Sequence, residues 1–157
     1  MINKRINFLT QGAIIAAIYV VLTIALAPIS YGALQVRVSE ALTILPYFTP
    51  AAIPGLFIGC IIANFNSPLG IIDIIFGSLA SLIAAIITSR IKDKRFAPLP
   101  SIIVNAIIIP FVLKYTLGLP YFVNVIWIAI GQTIACYGLG YPLLILLEKK
   151  SLFNRLK

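Results

Sequence analysis

Apolar residues occupy long, nearly continuous runs of this sequence, and charged residues are confined to the short segments between them. The runs cover about residues 6–27, 38–65, 68–89, 99–117 and 121–147. A helix that spans a bilayer needs about 20 consecutive apolar residues, so each run is long enough to cross a membrane. The pattern therefore predicts an all-α integral membrane protein with a single membrane domain over residues 1–157.

The second run is ambiguous because it contains Pro46, Pro50 and Pro54. Proline interrupts a helix and disfavours helical geometry in the residue before it. The run is therefore either one kinked span or two short helices that turn back on each other near Pro50.

The positions of the basic residues favour the second of these alternatives, the two short helices. Lys4 and Arg5 precede the first run, and the segment RIKDKR at residues 90–95 follows the third. Cytoplasmic loops are enriched in Lys and Arg, and both segments are cytoplasmic only if an even number of helices separates them. We therefore expect a hairpin with its turn at residues 46–50, six helices in all, and both termini in the cytoplasm. The expected helices cover about residues 6–28, 36–48, 50–65, 68–90, 98–117 and 121–147.

The second and third helices, which form the hairpin, are expected to be short. About 27 residues cannot supply two spans of about 20 residues each, so these helices must be tilted or surrounded by protein. Short helices among long ones leave a cavity, which in this topology opens toward the outer side.

Composition supports the membrane assignment and narrows the function. Hydrophobic residues make up 61% of the chain and charged residues 10%, whereas a soluble domain carries about 25% charged residues. The formal net charge of +8 is therefore interpreted as a topology signal and not as nucleic-acid binding. With two Cys, no His and four acidic residues, neither a metal nor a cofactor site is indicated, and an enzyme is not favoured.

Three charged residues near the expected outer side are candidates for ligand binding. An ionisable residue in a membrane segment is costly unless it has a partner or a ligand. Arg37 and Glu40 are three residues apart, so they can pair on one helix face or bind a polar ligand. Asp73 has no basic neighbour in sequence. It can pair with Arg37 or Lys114 across the bundle, or it can bind a ligand.

Uncharged polar and aromatic residues supply further candidates. For the polar ones, the alternatives are hydrogen bonds between helices and contacts to a ligand. For the aromatic ones, they are the interfacial belt and stacking on a flat ligand. The polar candidates are Gln35, Asn64, Asn105, Asn124 and Gln132, and the aromatic candidates are Tyr31 and Trp127.

Small residues recur every four positions on the first helix. Gly12 and Ala16 form one such pair, and Ala13 and Ala17 form another. This spacing lets helix backbones approach closely in lipid, either inside the bundle or against another membrane protein.

Three segments of the chain resemble the QueT family: YGALQVRVSEALTILP at 31–46, AIPGLFIGCIIAN at 52–64 and DIIFGSLASLIAA at 73–85. The blocks QVRVSEAL and DIIFGSLA are the most specific, and the resemblance extends over about residues 11–148. Members of that family are substrate-binding (S) components of energy-coupling factor (ECF) transporters, assigned to queuosine precursors. The resemblance implies a six-helix S component that captures its ligand from the outer side of the cell membrane.

The resemblance also implies protein partners. A transmembrane coupling subunit would dock on small residues of the first helix, where Ala13 and Ala17 match, with Gly12 and Ala16 on an adjoining face. Two cytoplasmic ATPases would bind the coupling subunit and would hydrolyse the ATP.

The implied ligand is a deazaguanine such as prequeuosine, whose flat ring carries two adjacent donors and a carbonyl on one edge. A carboxylate accepts two such donors in bidentate fashion. We expect Glu40 on that edge in preference to Asp73, with Arg37 or an Asn donating to the carbonyl. The alternatives are a stand-alone secondary transporter and an S component for another flat heterocyclic ligand.

Overall fold

The structure is a computed structural model that describes residues 3–31 and 36–150. Every regular element in these ranges is helical, and no strand occurs in them. The α-helices are α1 (Lys4–Ala25), α2 (Ala27–Ser30), α3 (Ala52–Asn64), α4 (Ile71–Arg90), α5 (Leu99–Leu117), α6 (Tyr121–Thr133) and α7 (Tyr141–Lys149). The other helical elements are a 3₁₀ segment (Val38–Tyr47), a single 3₁₀ turn (Lys94–Phe96) and a π-helical segment (Ile134–Gly140).

Four segments within the described ranges are long and apolar enough to cross a membrane. They are Lys4–Ala25, Ile71–Arg90, Lys94–Leu117 and Tyr121–Lys149, and α3 is a shorter apolar helix. The last segment runs through α6, the π segment and α7 without a break. The expectation of an all-α, multi-pass membrane protein is therefore confirmed. The described residues contain seven α-helices and not the six helices expected, and four segments have the length of a full span.

The predicted hairpin is present, but its first arm is not an α-helix. The 3₁₀ segment leads into a turn after Tyr47, and α3 begins at Ala52. A 3₁₀ helix rises about 2.0 Å per residue and an α-helix about 1.5 Å. The ten residues of this segment therefore extend about 20 Å instead of about 15 Å, which lets a short stretch cross much of the bundle. Arg37 was expected to be helical but has extended backbone, with φ −82° and ψ 103°.

The hairpin turn lies at the end of the bundle that carries most of the basic residues. The Tyr47 hydroxyl donates to the carbonyl of Lys92 at 3.4 Å, and Thr49 Oγ1 donates to Gln11 Oε1 at 2.9 Å. We call this the basic end; it comprises residues 4–5, 90–95 and 149–150. The opposite end, where α3 ends and α4 begins, is called the Asp73 end.

Helices α1 and α3 pack through their small residues. A Cβ atom added at Gly55 would lie 2.7 Å from the carbonyl oxygen of Gly12, and one added at Gly59 would lie 3.1 Å from Cα of Ala16. Gly12 and Ala16 are both buried. For this pair, the close approach that the sequence predicted occurs inside the bundle.

The 3₁₀ segment packs against the π segment on one side. A Cβ atom at Gly140 would lie 3.1 Å from the carbonyl oxygen of Ala41 and 3.3 Å from its Cα. All residues from Ser39 to Pro46 are buried. The fold thus places Glu40 in the interior, surrounded by other helices.

Candidate functional site

Glu40 lies in the bundle interior and accepts three hydrogen bonds from side chains. The Tyr19 hydroxyl donates to Oε1 at 2.6 Å. Ser101 Oγ and Asn105 Nδ2 donate to Oε2 at 2.7 and 3.3 Å. Glu40 is 1% exposed, so these bonds replace the water that a carboxylate needs. This Glu40 cluster, composed of these four residues, ties the 3₁₀ segment to α1 and α5.

Local sequence explains the geometry of the Glu40 cluster. Ser101 and Asn105 are four residues apart on α5, so they share one face, and Asn105 Nδ2 also donates to Ser101 Oγ at 3.2 Å. On the other side, Thr43 Oγ1 donates to the backbone carbonyl of Glu40 at 2.6 Å, and Cys136 Sγ lies 3.7 Å from the same oxygen. Main-chain and side-chain groups of Glu40 are thus both engaged.

Arg37 and Asp73 form a buried ion pair at the Asp73 end. Arg37 Nη2 lies 3.2 Å from Asp73 Oδ2, and the two side chains are 5% and 0% exposed. Ser67 Oγ donates to the same Oδ2 at 2.6 Å. Asn64 Nδ2 donates to the backbone carbonyl of Asp73 at 3.0 Å. We call Arg37, Asn64, Ser67 and Asp73 the Asp73 cluster.

The start of α4 favours a carboxylate at this position. Asp73 lies in the first turn of the helix, where the helix dipole stabilises negative charge. Gly70 precedes the helix with φ 68°, a left-handed conformation that glycine adopts without a steric penalty. This turn directs the chain from Ser67 into α4. Ser67 therefore lies beside Asp73 Oδ2, the carboxylate oxygen that Arg37 also contacts.

The alternatives for the three charged candidates can now be compared. The ion pair seen for Arg37 in the described ranges is with Asp73 and not with Glu40. Pairing with Arg37 was one of the two ion pairs considered for Asp73, and Lys114, the other partner considered, is exposed. Arg37 and Glu40 therefore belong to two separate clusters.

Hydrogen bonding is incomplete in the Asp73 cluster. Arg37 Nε, Asn64 Oδ1 and Asp73 Oδ1 are buried and have no hydrogen-bond partner. A fourth such atom in the described part of the chain is Ser30 Oγ. Buried polar groups in native proteins are nearly always paired, so three unpaired atoms on Asp73 and two residues bonded to it are an exception that calls for an explanation.

Tyr31 brings an aromatic ring to the same cluster. Its ring centroid lies 5.3 Å from Cζ of Arg37, within cation–π distance. Its hydroxyl donates to the carbonyl of Ala63 at 2.6 Å, which fixes the ring against the end of α3. Trp127, the other aromatic candidate, lies on α6 with 47% of its surface exposed and has the exposure of a lipid-facing residue.

The structure distributes the remaining polar candidates over different places. Asn105 belongs to the Glu40 cluster. Asn124 Nδ2 donates to the carbonyl of Pro120, the residue just before α6, at 2.7 Å. Gln132 is buried, with Oε1 3.6 Å from Cys136 Sγ. Gln35 lies outside the described residues.

The two small-residue pairs of α1 face different surroundings. Gly12 and Ala16 pack on α3, whereas Ala13 and Ala17 are exposed. Leu9 and Val21, one turn before and after this second pair, are 68% and 63% exposed. The Ala13–Ala17 stripe is therefore free to contact lipid or another protein.

Several residues in or beside the two clusters were not predicted as site residues from the sequence. Tyr19, Ser67, Ser101 and Cys136 are neutral and lie in or beside apolar runs, where serine and tyrosine are common. The i,i+4 spacing of Ser101 with Asn105 was the one usable signal. No group of three or more His, Cys, Asp or Glu that could hold a metal ion occurs in residues 3–31 and 36–150.

Comparison with known proteins gives the family. The sequence profile described as QueT transporter matches residues 9–149. A protein of Lactococcus lactis subsp. cremoris (strain MG1363), named queuosine precursor transporter QueT, is 40% identical over 90 residues, which cover 54% of this chain. The aligned part spans about half of that relative, 53% of its length. No solved structure matches significantly. The profile match covers nearly the whole chain, and the chain therefore belongs to the QueT transporter family.

Proposed function

We propose that this protein is the substrate-capture (S) component of an ECF transporter and that it binds a queuosine precursor, a deazaguanine such as prequeuosine. The observation that carries the proposal is the Asp73 cluster, a buried charged group with unpaired hydrogen-bonding atoms in a membrane protein of a transporter family. Ionisable residues inside membrane proteins are by default candidates for a functional site, and substrate pathways are one of the uses known for them. The name of the Lactococcus lactis relative supports the choice of ligand.

The orientation follows from the charges. The basic end carries the clustered Lys and Arg residues, so under the positive-inside rule this end and both termini are cytoplasmic. The Asp73 end then faces outward, and the 3₁₀ segment and α3 act as two short crossings of a six-segment S component. A ligand arriving from outside would reach the Asp73 cluster first.

The binding site comprises Arg37, Asn64 and Asp73, with Tyr31 available to stack on a flat ring. The Glu40 cluster lies beneath it as a support, because its carboxylate is already bound by protein donors. Asn124, Gln132 and Trp127 have no role in this site. We expect no catalytic activity in this chain, and ATP would be hydrolysed in partner subunits.

Calorimetry on the purified protein in detergent tests ligand capture. We expect tight binding of a deazaguanine in the absence of ATP and of any partner subunit, since capture precedes the energised step. No binding at micromolar ligand would rule out the assignment.

Docking on the coupling subunit is the second part of the proposal and is assigned to the exposed Ala13–Ala17 stripe. Ala13→Trp and Ala17→Trp should abolish co-purification of a transmembrane coupling subunit and two ATPases while ligand binding by the isolated chain persists. Ile103→Trp is the matched control, because Ile103 on α5 is 54% exposed and lies on another helix. A stand-alone secondary transporter is the competing function; it predicts uptake in cells that lack the coupling subunit.

A further inference from the structure

The two buried carboxylates differ in their capacity to accept additional hydrogen bonds. A carboxylate has about four acceptor positions. Glu40 uses three of them, and both of its oxygens are engaged. Asp73 receives Arg37 and Ser67 on Oδ2, and its Oδ1 has no partner. A ligand donor could therefore bind Asp73 Oδ1 without displacing a protein donor. At Glu40 it would have to displace one of the three protein donors.

The unpaired atoms of the Asp73 cluster comprise two acceptors and one donor. The acceptors are Asp73 Oδ1 and Asn64 Oδ1, and the donor is Arg37 Nε–H. The amide of Asn64 is oriented by its own bond, since Nδ2 donates to the carbonyl of Asp73 and Oδ1 is therefore the free atom. Asn64 and Asp73 are fully buried, so each free atom incurs the full penalty of an unmade hydrogen bond.

The net charge of the Asp73 cluster limits which ligand groups can bind there. Arg37 and Asp73 already neutralise each other, so a cationic group placed there would be buried without a counter-charge of its own. A buried uncompensated charge is far more costly than a neutral polar group whose hydrogen bonds are made. A neutral edge with two donors beside one acceptor satisfies all three atoms without adding charge.

We propose that the Asp73 cluster recognises the amino, ring N–H and carbonyl edge of a guanine-type ring, with Asp73 Oδ1 and Asn64 Oδ1 accepting the two donors and Arg37 Nε donating to the carbonyl. This inference rests on the proposed function and specifies it. It assigns the ring edge to Asp73, in place of the Glu40 that the sequence favoured. Glu40 keeps its three protein donors in the bound state.

Three ligands test the inference on the wild-type protein by calorimetry. They are a deazaguanine, its analogue without the exocyclic amino group of the six-membered ring, and the analogue in which an amino group replaces the ring carbonyl. Each change leaves a buried atom unpaired or opposes two donors, so we expect each analogue to bind about 10- to 100-fold more weakly.

Three variants test which cluster is responsible for the preference among these ligands. Asn64→Leu should bind the deazaguanine more weakly and should reduce its advantage over the analogue without the amino group to less than about threefold. Glu40→Gln should keep the wild-type ratio between these two ligands, whatever it does to stability. The double variant Arg37→Gln with Asp73→Asn removes both charges together, which avoids a lone buried charge, and should lose discrimination against the amino-for-carbonyl analogue.

The outcomes separate this inference from the function on which it rests. If the wild type binds none of the three ligands, the proposed function fails. If it binds the deazaguanine but does not prefer it, or if the preference survives in Asn64→Leu and in the double variant while Glu40→Gln loses it, the function stands and the assignment of the edge to the Asp73 cluster is wrong.

Discussion

The Glu40 cluster and the Asp73 cluster each contain one buried carboxylate, and they solve the problem of burying it in different ways. Glu40 is held by a tyrosine, a serine and an asparagine, none of them charged. Asp73 is held by an arginine and a serine on one oxygen, and its other oxygen is free. A fully satisfied polar network rigidifies a core, whereas a partly satisfied one is costly unless something completes it. On this difference rests our proposal that the Glu40 cluster is structural and that the Asp73 cluster binds the ligand.

Breaking the Arg37–Asp73 pair gives the largest expected effect. Arg37→Gln or Asp73→Asn alone leaves a buried charge without its partner, which costs about 3–5 kcal/mol. We expect each single variant to lower the midpoint of thermal unfolding in detergent sharply. The double variant should recover much of that loss, because no lone charge remains. If the losses of the two single variants simply add in the double variant, the pair is not coupled.

Glu40→Gln tests the Glu40 cluster in the same way. The substitution removes the negative charge that accepts hydrogen bonds from three donors, and it places an NH₂ group opposite one of those donors. We expect it to lower the free energy of unfolding by about 2–3 kcal/mol. Thermal unfolding measures the loss. No charge is left unpaired by this change, so the loss should stay below that of either Asp73 cluster variant; a larger loss would reverse the roles assigned to the two clusters.

Gly77→Ala tests how tightly the Asp73 cluster is packed. The added Cβ would lie 2.7 Å from Asn64 Nδ2 and 3.0 Å from Asp73 Oδ1, so these side chains must shift, at about 1–2 kcal/mol. Ligand affinity should fall with stability. Gly138→Ala is the control because its Cβ would meet nothing within 4 Å, and it should leave both quantities unchanged. Equal effects of the two substitutions would contradict the packing argument.

Tyr19→Phe gives the smallest effect. It removes one hydrogen bond to Glu40 and retains the ring, which costs about 1 kcal/mol when two other donors remain on the carboxylate. Tyr115→Phe is the control, since Tyr115 is 70% exposed and lies outside both clusters. A shift in the unfolding midpoint that is no larger than that of the control would mean that the bond contributes nothing.

Local features of the sequence were enough to predict the membrane class and the hairpin. Run lengths and the placement of basic residues are properties of the chain in one dimension, and the turn was found where Pro46 and Pro50 placed it, between Tyr47 and Ala52. The 3₁₀ geometry of the first hairpin arm was not predicted. Its apolar pattern is short and continuous, and such a pattern does not distinguish between helix types.

The all-α membrane fold and the short list of charged candidates could thus be predicted from the sequence. In lipid, backbone groups must be paired within a helix or a closed barrel, and charged residues are rare, so few alternatives remain. Which side chains contact each other became known only from the packing of the helices. Asp73 is 36 residues from Arg37, and Ser101 and Asn105 are 61 and 65 residues from Glu40. The packing also decided which small pair of α1 is internal. These contacts depend on how helices pack against each other, and the residue pattern along one helix does not identify its distant partners.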